Sequence, residues 1–208
     1  MARTKSPNRR TAIVLTSLMA AMTFGAGLLL ALEPSPVAPS PSARLVSMEN
    51  VNDSRQVLFG TTAQPAPWAG IVIHDSGSLE GSLTSIHKVH EKLGIGGLGY
   101  HFVVGNGKGA ADGQIEMGFR WQHQMAGAHS SGEHADWFNR SAISICLVGD
   151  TDRQAPSEKQ TRELLWLVRE LQARFNIPSD RIYIQTGSGK GANLFPVTTF
   201  RQQLAGIH

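Results

Sequence analysis

The sequence predicts an α/β domain built on a mixed central β-sheet with helices packed on it. Short apolar runs bounded by glycine are typical of buried strands, and they alternate with segments of helical periodicity. The predicted order of elements is β-α-β-β-β-α-β-α. Of the 208 residues, 41% are hydrophobic and 17% are charged, which is enough apolar surface for a buried core.

Five strands and three helices are predicted. The strands cover residues 71–74, 100–104, 114–116, 142–148 and 181–184. The first helix covers residues 83–93 and ends in a glycine-rich loop. The second begins at Ser157, which forms a capping box with Gln160, and Pro178 bounds its end. The third begins near Thr198.

Charge and cysteine content exclude several classes of protein. The formal net charge is +3, but four cations lie within the first ten residues, and the chain from Leu45 onward has 14 Lys/Arg against 15 Asp/Glu. Because the body of the protein is almost neutral, it carries no footprint for a phosphate backbone and we expect no nucleic-acid partner. The single cysteine, Cys146, excludes a disulfide framework.

The N-terminal third is organised differently from the remainder. Residues 1–10 form a basic tail, and residues 11–32 are uncharged and apolar over a length that spans a bilayer. A signal-anchor is favoured over a cleaved signal peptide because no good small-residue cleavage site follows. The basic tail then lies in the cytoplasm and the domain outside it, on the periplasmic or cell-envelope side. Residues 33–67 form a Pro/Ser-rich linker and lead-in, and residues 68–208 form the folded domain.

Several segments recur in a fixed order: IVIHDS, IHKVHEKLGIGGLGYHFVVGNG, GAHS, ISICLVGD and IYIQ. In this order they resemble the zinc-dependent N-acetylmuramoyl-L-alanine amidases of the phage-lysozyme and peptidoglycan-recognition-protein type, over residues 68–204. The resemblance implies helices on both sides of the sheet and a peptide-binding groove. It also implies a zinc ion, held by two histidines and a cysteine or aspartate, that polarises the scissile lactyl-amide carbonyl.

The resemblance assigns roles to five residues. His74 matches the first zinc ligand, and Tyr100 matches the tyrosine that faces the metal. Glu116 matches the acidic residue after the glycine-rich turn, with a catalytic role expected. His129 matches a histidine at the edge of the groove and is expected to contact substrate. Lys190 lies near the catalytic lysine of some relatives and is expected to bind substrate.

Two of these assignments have a plainer alternative. Tyr100 is also compatible with a half-buried strand tyrosine, and Glu116 with an ion pair to Arg120. His87 and His90 have the i,i+3 spacing of helical metal ligands, but surface histidines share that spacing.

The rest of the zinc set departs from the family pattern. Gln185 stands where active members have the second histidine, and Asn193 stands where they have cysteine or aspartate. Side-chain amides are weak zinc donors, so we expect zinc to bind weakly or not at all. A rearranged metal site using His74 and His129 remains an alternative.

Three functions are therefore compatible with the sequence. The first is a peptidoglycan- or muropeptide-binding domain with little or no hydrolytic activity. The second is an active N-acetylmuramoyl-L-alanine amidase with a rearranged metal site, which cleaves the lactyl–L-Ala amide. The third is a domain for a protein partner that has lost sugar recognition. In each case the membrane is a further partner through the N-terminal helix.

Topology is testable directly. If residues 11–32 form a signal-anchor, protease added to spheroplasts will remove the domain, because it lies outside the cytoplasmic membrane. Immunodetection of the domain measures this. A domain that survives in spheroplasts and is degraded only after lysis would contradict the predicted topology.

Overall fold

The computed structural model describes residues 8, 17, 55–188 and 192–206. The predicted membrane segment at 11–32 and most of the predicted linker lie outside the described residues, so these stay predictions. In the parts of the chain that are described, no helix is both long and apolar enough to span a bilayer.

A five-stranded mixed sheet forms the centre of the domain. Its strands are β1 (Gly70–Asp75), β2 (Phe102–Val104), β3 (Ile115–Met117), β4 (Ala142–Leu147) and β5 (Ile182–Gln185). Their order across the sheet is β3-β2-β4-β1-β5. The β2–β3 pair is antiparallel, whereas β2–β4, β4–β1 and β1–β5 are parallel. The predicted mixed sheet and its five strands are confirmed.

The helices include two that the sequence did not reveal. The predicted helices are α1 (Leu83–Lys92), α4 (Glu158–Phe175) and α5 (Val197–Leu204). The additional ones are α2 (Phe119–Gln122) and α3 (Ala135–Ser141), both short. A helix of one or two turns has no apolar periodicity long enough to read, and neither α2 nor α3 has a side-chain N-cap.

Alternation along the strands divides the core between the two faces of the sheet. On one face, Ile71 and Ile73 of β1 pack with Leu164 and Leu171 of α4 in the larger core. On the other, Cys146 of β4 packs with residues of the first helix and of β2 in a smaller core. His74 alternates with Ile73 and therefore lies on the face of the smaller core.

The predicted capping box of α4 is formed. Ser157 Oγ accepts from the Gln160 amide at 2.9 Å, and Gln160 Oε1 accepts from the Ser157 amide at 3.2 Å. Gln160 also donates to the Val148 carbonyl at 2.9 Å, which ties the start of the helix to the end of β4. The helix ends at Asn176, which adopts a left-handed conformation with φ 52°, two residues before Pro178.

Strand register lines up one row of residues across the sheet. Glu116, Val103, Cys146, His74 and Gln185 are successive partners from β3 to β5. Because paired residues point to the same face, the row projects toward the smaller core and the loops beyond it. The three parallel pairings also bring the carboxyl ends of β1, β4 and β5 to one edge, where ligands bind in open α/β sheets.

Candidate functional site

Three of the predicted site residues converge at the end of β1. The ring centroids of His74 and His129 are 4.9 Å apart, and those of His74 and Tyr100 are 5.7 Å apart. The Tyr100 and His129 rings stack at 5.9 Å with an angle of 22° between their planes. These three residues lie in separate segments of the sequence, and the fold brings them into one cluster.

His74 and His129 are in direct hydrogen-bond contact. Nε2 of His74 lies 2.9 Å from Nδ1 of His129, and the Ser130 hydroxyl lies 3.0 Å from the same Nδ1. Two imidazoles can share a hydrogen bond only if one ring donates its N–H and the other accepts it. Hereafter we call these two residues the histidine pair.

Burial holds the histidine pair in its uncharged form. Desolvation lowers the pKa of His74 to about 4, although a hydrogen bond to the Gln185 backbone and the charge of Asp75 oppose the shift. Desolvation, assisted by the neighbouring His74, lowers the pKa of His129 to about 2. Both rings are therefore neutral at pH 7, when their lone pairs are available for hydrogen bonding or metal binding.

Tyr100 faces the pair from the adjacent loop and contacts Cys146. Burial raises the pKa of the Tyr100 hydroxyl, and a hydrogen bond with the Cys146 thiol adds to the shift. Burial likewise raises the pKa of Cys146, so the thiol is protonated and unreactive. Cys146 is the direct neighbour of His74 on β4.

The loop that carries His129 is held by Asn139 of α3. Asn139 Oδ1 accepts from the amides of His129 and Ser130, each at 3.0 Å, and its Nδ2 donates to the Ser130 carbonyl at 3.0 Å. Sequence reasoning missed Asn139 because it lies in a helix that was itself missed.

His87 and His90 of α1 hold the glycine-rich loop that precedes Tyr100. Nδ1 of His87 accepts from the Leu98 amide at 3.2 Å, and Nδ1 of His90 accepts from the Gly99 amide at 2.9 Å. Both Nδ1 atoms thus accept hydrogen bonds from backbone amides. The two histidines hold the loop, and their i,i+3 spacing does not mark a metal site. The sequence signal for this role was the presence of two histidines shortly before a glycine-rich loop.

A cavity of about 460 Å³ opens beside this cluster. Tyr100 and His90 lie at its base, and Ile86 and Val89 of α1 give one apolar wall. The remaining lining is mostly hydroxyl-bearing or glycine: Ser76, Ser78, Gly81, Ser82, Ser85 and Gly109, together with Glu80. A cavity of this size, partly apolar with a few polar groups, is typical of a small-ligand site.

The side chains at the two further positions that the resemblance assigns to zinc ligands do not fit a zinc ion. Gln185 is the direct neighbour of His74 on β5, so the alignment of this position is consistent with the strand register, but its side chain is a neutral amide. Asn193 Nδ2 donates to the Thr186 carbonyl at 2.8 Å, and Oδ1 accepts from the Phe195 amide at 3.0 Å. Its amide is thus occupied by loop contacts, and no charged donor accompanies His74 from this side.

The described residues also contain no other group of side chains that could hold a metal ion. Nowhere in residues 55–188 and 192–206 do three or more His, Cys, Asp or Glu side chains lie close enough together to hold a metal ion. The histidine pair supplies two nitrogen donors and has no third such partner among these residues.

One predicted site residue, Glu116, is not part of the cluster. Glu116 is three strands from His74, roughly 14 Å at the usual strand spacing, and its carboxylate accepts from the Leu83 amide at the start of α1 at 3.2 Å. It does not pair with Arg120, which donates to backbone carbonyls instead. Lys190 lies outside the described residues, and its role stays a prediction.

Comparison with known proteins agrees with this architecture. A family model described as N-acetylmuramoyl-L-alanine amidase matches residues 64–193. Peptidoglycan-recognition protein 2 from Holotrichia diomphalia is 33% identical over 79 residues, which are 38% of this chain and 36% of that protein. The matched region thus spans only about a third of the length of this relative.

Solved structures show the same fold at low sequence identity. The endolysin N-acetylmuramoyl-L-alanine amidase LysCS from Clostridium intestinale URNW has a TM-score of 0.52 at 20% identity, covering 68% of this chain and 87% of that one. The amidase LysC from the same organism has a TM-score of 0.50 at 22% identity, covering 71% and 87%. Drosophila peptidoglycan recognition protein SA has a TM-score of 0.50 at 22% identity, covering 68% and 83%.

The family model matches well over half of the 208 residues. The matched range includes His74, Tyr100, His129, Gln185 and Asn193. The chain therefore belongs to the N-acetylmuramoyl-L-alanine amidase family.

Proposed function

We propose that this domain binds peptidoglycan fragments in the cavity beside Tyr100 and hydrolyses them slowly or not at all. The observation that carries the proposal is the combination of an open cavity of about 460 Å³ with a zinc-ligand set in which only His74 is a strong donor. The family is generally zinc-dependent, so losing two ligands removes catalysis more completely than it removes binding.

The chemistry of the cavity suits a muropeptide. The hydroxyls of Ser76, Ser82 and Ser85 donate to protein groups, and their remaining lone pairs can accept from sugar hydroxyls and peptide N–H groups. Ile86 and Val89 offer apolar surface to the methyl groups of a stem peptide. Tyr100 lines the cavity and stacks on His129, so a ligand in the cavity lies beside the histidine pair.

One observation favours an active amidase as the second candidate. The two nitrogens of the histidine pair are 2.9 Å apart, close enough for both to bind one metal ion after a small movement. A site of this kind would need a further ligand from substrate, water or a residue outside the described ranges.

Filling the cavity should weaken the binding of a muropeptide. Val89 lines the cavity and is 55% exposed, so Val89→Trp places an indole in the space without disturbing the core. We expect the affinity for a soluble muropeptide, measured by isothermal titration calorimetry, to fall by about tenfold or more. Val57→Trp is the matched control, because Val57 is 69% exposed and does not line the cavity. Equal affinities for wild type and Val89→Trp would place the ligand elsewhere.

Hydrolysis should be slow in the wild-type domain. Without a metal to polarise the amide carbonyl, several kcal/mol of transition-state stabilisation are missing, on the order of 10³-fold or more in rate. Release of stem peptides from peptidoglycan, with elemental analysis of the same sample, measures this. Chelator-sensitive turnover at about 1 per second or faster would favour the active amidase instead.

Restoring the two ligands should create a zinc site. Gln185→His with Asn193→Cys adds an imidazole and a thiolate beside His74, so we expect about one zinc per domain and a melting temperature that rises with added zinc. Affinity will fall at lower pH because both new ligands must lose a proton to bind. Adding His74→Ala to the double variant is the control and should remove the zinc. If the double variant folds but takes up no more zinc than wild type, these positions do not face His74.

A further inference from the structure

Arg120 is a buried cation whose donors are directed to backbone carbonyls. Arg120 is 8% exposed to solvent. Nε donates to the Leu98 carbonyl at 2.7 Å, Nη1 to the Ala126 carbonyl at 2.7 Å, and Nη2 to the Ile95 carbonyl at 3.1 Å. No carboxylate within the described ranges forms an ion pair with it. Buried arginines are rare unless paired, so this arrangement needs an explanation beyond packing.

The three carbonyls belong to the two loops that carry site residues. Ile95 and Leu98 lie in the glycine-rich loop that leads to Tyr100, and Ala126 lies in the loop that leads to His129. One backbone bond also joins these loops, from the Ala128 amide to the Gly99 carbonyl at 2.9 Å. The guanidinium thus bridges the loops within five residues of Tyr100 on one side and within three residues of His129 on the other.

We propose that Arg120 is a positioning residue that sets the separation of these two loops and so keeps His129 in contact with His74. The guanidinium is planar and rigid, and its fork reaches three acceptors in fixed directions. A shift of one loop relative to the other would change the Tyr100–His129 stack and lengthen the bond within the histidine pair. Ligand binding through this cluster rests on the proposed function, whereas the geometry of the histidine pair does not.

A spectroscopic signature separates positioning from a general contribution to stability. A scalar coupling between the two ring nitrogens across an N–H···N bond is observable by NMR in ¹⁵N-labelled protein, and it is lost when the bond lengthens. We expect this coupling between His74 Nε2 and His129 Nδ1 in the wild-type domain, where the nitrogens are 2.9 Å apart.

The test variant is Arg120→Met, which keeps the length of the side chain and removes its donors. The coupling should disappear while the backbone amide signals of β1, β4 and β5 stay dispersed. Arg174→Met is the control: Arg174 lies on α4, stacks on Phe59 at 4.0 Å and bonds Gln56 at 3.0 Å, away from both loops. Its loss should lower stability and leave the coupling intact. A folded Arg120→Met domain with an unchanged coupling overturns the proposal.

Arg120→Lys decides the matter if the methionine variant does not fold. An ammonium keeps the charge but cannot reach three carbonyls in fork geometry, so the coupling should weaken or vanish. A coupling equal to that of wild type would mean that the charge alone suffices and would contradict a positioning role.

Muropeptide affinity provides the second readout. We expect it to fall by about tenfold in the folded Arg120 variants and to stay unchanged in Arg174→Met. If wild type binds no muropeptide, the proposed function fails, and the nitrogen coupling still decides whether Arg120 positions the histidine pair.

Discussion

The parallel pairing of β1 with both of its neighbours is the constraint on which the site depends. It fixes His74 between Cys146 and Gln185 in one row across the sheet. A slip of one residue in either pairing would turn His74 to the face of the larger core, where α4 packs. The buried apolar residues that alternate with His74 make such a slip very costly, so the packing of the core determines the position of His74.

Unlike the strands of the sheet, the loops of the site are held in place by polar side chains. Tyr100 and His129 reach the cluster through loops that depend on a few polar contacts: the Nδ1 atoms of His87 and His90, the amide of Asn139 and the guanidinium of Arg120. Each of these groups satisfies backbone atoms that would otherwise be buried without partners. These contacts are made between protein groups, so they hold the rings of Tyr100 and His129 in place without a metal ion.

The sheet was also easier to predict from the sequence than the loops were. The strands and the long helices were predicted, because a buried run such as Ile71–Ile73 and the capping box at Ser157 leave a local pattern. Helix α3 and the role of Asn139 were not, because a seven-residue helix with no side-chain cap leaves none. Glu116 was expected in the site because it matches the acidic residue after the glycine-rich turn in the family that the sequence resembles, whereas the strand order places β3 at the far edge of the sheet.

The contact between His74 and His129 could not have been derived from either residue's neighbours in the sequence, since 55 residues separate them. A buried ring nitrogen without a metal or hydrogen-bond partner destabilises a fold by about 1–3 kcal/mol, the usual desolvation cost of an unpaired polar group. The contact satisfies His74 Nε2 and His129 Nδ1, whereas His129 Nε2 is buried without a hydrogen-bond partner among the described residues. Under the proposed function, binding no longer requires a metal, and the interior of the site is stabilised by the hydrogen bond that stands near the first ligand position.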